Sequence, residues 1–162
     1  MRPESLMRWL PAPPPLQPGC LAMVFVETPA NPTIHLIDLE AYTSLAHQYS
    51  TPEKPVRLVV DNICPGPDFQ HPLKHRAGVV LYWATKFLSG HSDLVAGAAL
   101  ASRPLIKEIK TMRTFIGTMC DPNTDWMFMH SLETLKLRME RAATSAQVIA
   151  DWLRAHPLVQ RT

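Results

Sequence analysis

The amino-acid sequence predicts an α/β protein built on a mainly parallel sheet with flanking helices. Short apolar runs alternate along the chain with segments of helical periodicity, the order that produces parallel strands joined by right-handed crossovers. The runs are continuously apolar, as expected for strands that are covered on both faces. Polar residues follow directly on the ends of these runs, where open α/β sheets collect their ligands.

The chain is long enough for one domain with a hydrophobic core. It has 162 residues, of which 46% are hydrophobic, an ordinary share for a globular domain. Residues 1–20 are interrupted repeatedly by proline, which opposes regular helix or sheet. We therefore expect residues 1–20 to be a Pro-rich, disordered tail and residues 21–162 to form the domain.

In the first half of the chain, each predicted strand or helix is bounded by turn residues. Residues 21–26 are rich in β-formers, and the prolines that follow them end the strand. Asp38 marks a helix N-terminus because apolar residues recur behind it at helical spacing. The predicted bounds are strand 21–26, helix 39–49, strand 56–60, short helical crossover 68–75 and strand 79–82.

The second half continues with one further strand and two helices. Residues 94–100 form another β-like run, and the loop before it is too short for a full helical crossover, so this strand is expected to run antiparallel. Asp121 and Pro122 supply an N-cap and a first helical residue for a helix reaching about Leu137. A last helix is predicted from apolar positions between Met139 and Leu153.

Four polar residues stand at the predicted carboxyl ends of the parallel strands: Asn31, Asp61, Thr85 and Lys86. Pyridoxal phosphate (PLP) needs a lysine amine for its aldehyde and a carboxylate for its ring nitrogen. Lys86 and Asp61 suit those roles, while a hydroxyl such as Thr85 suits the phosphate and an amide such as Asn31 suits the phenolic oxygen. The spacing alone is weak evidence, because a lysine after a strand is far more often a solvated loop residue and Asp-Asn after a strand is usually part of a turn.

Longer segments carry a resemblance. Residues 27–32 read ETPANP, residues 59–62 read VVDN and residues 84–93 read ATKFLSGHSD. Together these resemble the Cys/Met-metabolism family of PLP enzymes, and the likeness continues through SLETLKLR at 131–138, so that it covers almost everything from residue 23 to about residue 159. The resemblance implies the large domain of PLP-dependent transferase fold type I (aminotransferase-like), truncated at both ends. Its last helix would lead to a missing C-terminal domain.

The resemblance also implies roles for the residues and a chemistry. Lys86 would form the Schiff base with the cofactor, Asp61 would contact the pyridine nitrogen, Thr85 the phosphate and Asn31 the phenolic oxygen. The implied activity is that of a carbon–sulfur lyase in sulfur amino-acid metabolism and transsulfuration, acting on cystathionine, methionine or a homoserine derivative. Two alternatives remain open: a γ-replacement synthase of the cystathionine gamma-synthase or O-acylhomoserine sulfhydrylase type, and a catalytically silent fragment. The family implies a homo-oligomer, a dimer or tetramer.

The chain departs from the family pattern at two positions and in length. Trp83 stands where the family usually has a small residue that helps to bind phosphate, and Gly78 replaces a common acidic residue. Family subunits are well over twice as long as this chain. Because residues 1–20 do not resemble the family, we expect a truncated or frame-disrupted gene or a misassigned start.

Composition narrows the remaining classes. The net charge is +2 without a basic stripe, so we expect no nucleic-acid partner. No apolar run approaches the roughly 20 residues that cross a bilayer, and the three cysteines form no CxxC pair, so we expect a cytoplasmic protein without a membrane partner. No metal site is predicted, because the histidines lack carboxylate partners at ligand spacing. A nucleotide-binding domain is disfavoured because the sequence has neither a GxGxxG motif nor a P-loop.

Overall fold

A computed structural model describes residues 17–160, and its centre is a four-stranded sheet in the order β1-β2-β3-β4. The first three strands run parallel, and the fourth pairs antiparallel with the third. This confirms the α/β class, the mainly parallel sheet and the reversed last strand. The strands are β1 Met23–Glu27, β2 Arg57–Asp61, β3 Val79–Trp83 and β4 Gly97–Ala101.

Five α-helices and two short helical turns of other types flank the strands within the described residues. The helices are α1 Leu39–Gln48, α2 Gly66–Phe69, α3 Arg103–Ile116, α4 Pro122–Leu132 and α5 Leu135–Ala155; a 3₁₀ turn spans Pro72–His75 and a π turn spans Ala84–Leu88. Both predicted caps are confirmed. Asp38 accepts hydrogen bonds from two amides of α1, and Asp121 does the same at the start of α4, which satisfies donors that have no partner inside the helix.

Two differences from the sequence prediction lie in the second half of the chain. The helix expected from residue 122 to about residue 137 ends at Leu132, because the amides of Glu133 and Thr134 turn back to carbonyls only three residues earlier. Helix α3 was not predicted. It contains no buried residue, so it contributes little to the hydrophobic core. It ends at Gly117, whose φ of 77° is the left-handed conformation typical of a glycine after a helix.

The hydrophobic core lies on one face of the sheet. Val60 and Val80 are almost completely inaccessible there, and Leu39 of α1 and Phe128 of α4 pack against them. Strand β2 is buried on both faces, as predicted. The outer strand β1 is covered on one face only, because Met23 and Phe25 on its other face are 54% and 56% exposed. On the same face of the sheet, Trp83 of β3 is 59% exposed.

The parallel register brings the carboxyl ends of β1, β2 and β3 to one edge. Glu27 pairs with Asp61, and Asp61 pairs with Leu81. The loop after β2 is fixed by Asn62, a fully buried amide that donates to the carbonyls of Gly66 at 2.9 Å and Gln70 at 3.0 Å. Unpaired buried amides are costly, so these bonds hold the loop against the sheet. None of the described helices is both long and apolar enough to cross a bilayer.

Candidate active site

Lys86 lies on the π turn that directly follows β3. The turn is closed by two hydrogen bonds of 2.8 Å: the amide of Ser89 donates to the carbonyl of Ala84, and the amide of Gly90 donates to the carbonyl of Lys86. The backbone of Lys86 has φ −88° and ψ −111°, which departs from helical geometry. Its side chain is exposed and lines an open cleft at the carboxyl edge of the sheet. The amine is therefore accessible to a small molecule.

Thr85 ties this turn to the beginning of β4. Its hydroxyl accepts a hydrogen bond from the amide of Ala96 at 3.0 Å and contacts the carbonyl of the same residue at 3.3 Å. The amide of Thr85 also donates to that carbonyl. The hydroxyl is thus engaged by the backbone, and a phosphate at this point would compete with Ala96 for its proton.

Asp61 ends β2 and is buried. Its carboxylate accepts a hydrogen bond from the amide of Ile63 at 3.2 Å. Burial raises the pKa of Asp61, and the nearby carboxylate of Glu27 raises it further, whereas the hydrogen bond from Ile63 acts in the opposite direction. The net shift is upward, because burial disfavours the charged form.

Strand geometry places Trp83 near Asp61. Asp61 is paired with Leu81 across β2 and β3, and Trp83 follows Leu81 by two residues. Since side chains of a strand alternate between faces, Leu81 and Trp83 share the face on which Asp61 stands. The exposed indole is therefore the diagonal neighbour of the carboxylate on β2.

The cleft has a volume of about 950 Å³, within the range of small-molecule sites. Three of the four predicted site residues, Asn31, Thr85 and Lys86, line it together with Cys64. Asp61 does not line it, and its side chain is buried. A further cavity of about 590 Å³ between α1 and β2 contains none of the four residues and lies at the opposite ends of the strands.

Gly78 lies far from the cleft, at the amino end of β3. A Cβ at this position would come within 2.9 Å of the Cβ of Arg57. The absence of a side chain at residue 78 is therefore explained by close packing against Arg57, and this departure from the family pattern does not touch the cleft.

Two residues near the cleft have side chains that invite a catalytic role. Cys64 is exposed in the cleft and is not packed in the core. Partial desolvation and the carboxylates of Glu27 and Asp61 nevertheless raise the pKa of its thiol, which opposes a reactive thiolate. His91 contacts the carbonyl of Ser89, which favours a structural role in the loop.

One residue at the site escaped the sequence prediction. Arg138, on α5, donates hydrogen bonds to the carbonyls of Phe87 and Leu88 in the turn that carries Lys86. The signal was present in the segment SLETLKLR at 131–138, which is part of the resemblance. The sequence alone did not reveal the contact, because the two segments are about fifty residues apart.

Comparison with known proteins finds one matching family model and several proteins of similar sequence. A family model described as Cys/Met metabolism PLP-dependent enzyme matches residues 17–162. The L-methionine gamma-lyase of Pseudomonas deceptionensis is 39% identical over 140 residues, which make up 85% of this chain and 34% of that protein. The cystathionine gamma-lyase of Bacillus subtilis is 38% identical over 138 residues, 85% of this chain and 35% of that protein.

Solved structures agree with the sequence matches. The cystathionine gamma synthase of Xanthomonas oryzae pv. oryzae superposes with a TM-score of 0.80 at 30% identity, over 86% of this chain and 35% of that one. The apo methionine gamma lyase of Micromonospora echinospora gives 0.76 at 35% identity, over 85% and 36%. The chain spans about a third of the length of the relatives it matches. The predicted domain boundary at residue 21 stays a prediction, and residues 1–16 lie outside the described part of the chain.

Proposed function

The chain belongs to the Cys/Met-metabolism family of PLP-dependent enzymes, and from this premise we propose that it binds PLP at the carboxyl edge of its sheet, with Lys86 as the attachment residue. The observation that carries the proposal is the meeting of Lys86, Thr85 and Asn31 in one cleft. Amine, hydroxyl and amide are the groups that the aldehyde, phosphate and phenolic oxygen of the cofactor require.

The described residues fit the cofactor in the kind of groups they offer, but one of them is not accessible. Asp61 is the carboxylate for the ring nitrogen, yet it is buried and does not line the cleft. Binding of the ring at Asp61 therefore requires the carboxylate to become accessible. The proposed roles are Lys86 on the aldehyde carbon, Asp61 on the ring nitrogen, Thr85 on the phosphate and Asn31 on the phenolic oxygen.

The chemistry divides between the cofactor and the chain. PLP, when bound, supplies an electron-withdrawing ring that stabilises negative charge on the substrate α-carbon. Lys86 supplies the base: its exposed amine, when free and neutral, can accept the α-proton and return it to a neighbouring carbon. The ionised carboxylate of Asp61 keeps the ring nitrogen protonated. Its raised pKa weakens this function at acidic pH, because the protonated carboxyl carries no charge.

We propose that the full activity to which these residues belong is carbon–sulfur lysis of cystathionine, methionine or a homoserine derivative. The relatives named methionine gamma-lyase and cystathionine gamma-lyase support this choice. A γ-replacement synthase is the second candidate, supported by the structural match to a cystathionine gamma synthase at a TM-score of 0.80. To separate elimination from replacement, the protein is incubated with each substrate and the products are measured. Elimination yields a thiol and a 2-oxo acid, whereas replacement yields a new substituted amino acid.

A third candidate is a chain that binds cofactor weakly or not at all. The position of a bulky indole, Trp83, beside a buried Asp61 that does not line the cleft favours it, because the ring nitrogen then has no accessible carboxylate. A chain of this kind would show neither a cofactor spectrum nor product formation until residue 83 is replaced. The substitution Trp83→Ser therefore distinguishes a silent chain from a misassigned site.

We further propose that the chain associates with copies of itself. Helix α3 buries no residue within the chain, and Phe115 and Ile116 near its end are 83% and 64% exposed. On α5, Trp152 is 63% exposed. Exposed apolar surfaces of this kind are characteristic of protein interfaces.

The proposal of a cofactor site is tested by titrating the chain with PLP and following absorbance. We expect a saturable spectral change in the parent that is lost in Lys86→Ala. Lys107→Ala is the matched control, because Lys107 is an exposed lysine on α3 and outside the cleft. A spectral change that survives in Lys86→Ala as it does in the control variant would contradict the assignment of Lys86.

A further inference from the structure

Arg138 reaches from α5 to the turn that carries Lys86. Its Nη1 donates to the carbonyl of Phe87 at 2.7 Å and its Nη2 to the carbonyl of Leu88 at 2.9 Å. Nη2 also donates to the carbonyl of Ser131 at 2.9 Å, and Nε donates to Oγ1 of Thr134 at 3.1 Å. One guanidinium therefore joins the lysine turn, the end of α4 and the beginning of α5.

The carbonyls that Arg138 binds on the turn belong to its last two residues. Carbonyls at the end of a helical turn have no following turn to supply amide donors. A cation at this end also opposes the negative pole of the aligned peptide groups. Hydrogen bonds from a charged donor are shorter and stronger than those between neutral groups, so Arg138 holds Phe87 and Leu88 more firmly than an amide would.

Gly90 provides an independent indication that the turn is shaped around this guanidinium. A Cβ at residue 90 would lie 1.9 Å from Nη1 of Arg138, and φ at Gly90 is +72°. Only a residue without a side chain accepts both the close approach and this backbone conformation. The chain thus leaves open the space that Arg138 occupies.

We propose that Arg138 is the positioning residue for Lys86. By holding the two carbonyls that follow Lys86, it fixes the turn and with it the direction in which the lysine amine enters the cleft. This inference rests on the proposed function, since the position of Lys86 matters for cofactor attachment only if Lys86 is the attachment residue. Arg138 itself does not line the cleft, so it acts through the turn.

Amide hydrogen exchange of the full chain tests the inference without any cofactor. The amides of Ser89 and Gly90 close the turn, and in Arg138→Gln we expect them to exchange about ten-fold faster. The amide of Asn62, bonded to Leu81 in the sheet, should keep its rate. Arg138→Lys should fall between, because lysine keeps the charge but cannot bridge the carbonyls.

The control variant lies on the same helix as Arg138. Arg141→Gln removes an exposed arginine one turn further along α5 and should change no rate near residue 89. An equal acceleration at Asn62 and Ser89, or none at either, would overturn the inference. Unfolding of both Arg138 variants by circular dichroism would also overturn it, because Arg138 would then hold the whole fold and not the turn.

A second readout uses PLP and separates this inference from the proposed function. In Arg138→Gln the rate at which PLP attaches to Lys86 should fall about ten-fold, while attachment to the exposed Lys107 stays unchanged. If the parent shows no attachment at Lys86 while the exchange result appears as expected, the proposed function fails and the structural effect of Arg138 stands. An unchanged rate at Lys86 in a variant with a loosened turn would contradict positioning.

Discussion

Trp83 and Asp61, the residue proposed for the cofactor ring nitrogen, lie on the same face of the sheet. Asp61 pairs with Leu81 across β2 and β3, and side chains two residues apart on a strand share a face, so Trp83 is the diagonal neighbour of Asp61. A bulky and largely exposed indole therefore stands beside this carboxylate, at a position where the resemblance implies a small phosphate-binding residue.

Replacing Trp83 by serine should tighten PLP binding. The substitution removes the bulky indole that stands beside Asp61 and leaves at the end of β3 a small hydroxyl that can donate to a phosphate. A hydrogen bond to a charged group is worth about 1.5–3 kcal/mol, equivalent to about one to two decades in affinity, so we expect at least a several-fold gain by absorbance titration. Trp126→Ser, which replaces an exposed tryptophan on α4, is the control. Equal affinities of parent and Trp83→Ser would contradict this account of residue 83.

The pH dependence of stability should change when Asp61 becomes asparagine. Because the pKa of Asp61 is raised in the folded chain above its ordinary 3.8, the folded state binds more protons there than the unfolded state. The contribution of Asp61 to stability is therefore present below about pH 3.8 and is lost as pH rises through the folded pKa. Denaturant unfolding at several pH values should show that the free energy of unfolding of the parent falls relative to that of Asp61→Asn as the pH rises through this window. If the free energy of unfolding of the parent rises relative to that of the variant, the upward shift in the pKa of Asp61 is contradicted.

Asp38→Ala should destabilise the chain by about 1 kcal/mol. The substitution removes the acceptor for the amides of Glu40 and Ala41, which lie 3.0 and 3.1 Å from Oδ1. Equilibrium unfolding in urea measures the loss. Glu53→Ala serves as control, since Glu53 is exposed in the loop before β2 and should leave the midpoint nearly unchanged. Identical midpoints for Asp38→Ala and the control would show that the cap contributes nothing.

Self-association should depend on the exposed end of α3. We expect sedimentation velocity to show a concentration-dependent equilibrium in the parent and a shift towards monomer in Phe115→Ser, because this side chain is 83% exposed and burial of an aromatic ring drives association. Thr111→Ser changes an exposed polar residue of the same helix and should have no effect. A parent that sediments as a monomer at every concentration would contradict the proposal.

Much of the fold could be predicted from the sequence, because buried strands and capped helices leave local patterns. The strand before Asp61 and the cap at Asp38 both follow from residues adjacent in sequence. Three features could not be derived in this way. Helix α3 has no buried residue and so no core face to mark it in the sequence. Trp83 comes beside Asp61 only through the pairing of β2 with β3, and Arg138 binds a turn about fifty residues away. Each depends on contacts between segments distant in sequence.

The central claim is that Lys86 is the residue to which PLP attaches. The full chain is incubated with PLP, reduced with borohydride and digested, and the modified lysines are located by mass spectrometry. The account predicts that the reduced adduct lies mainly on Lys86 and that Arg138→Gln lowers this fraction selectively. An adduct distributed mainly over other lysines, with Lys86 unmodified at saturating PLP in both the parent and Trp83→Ser, would contradict the assignment of the site.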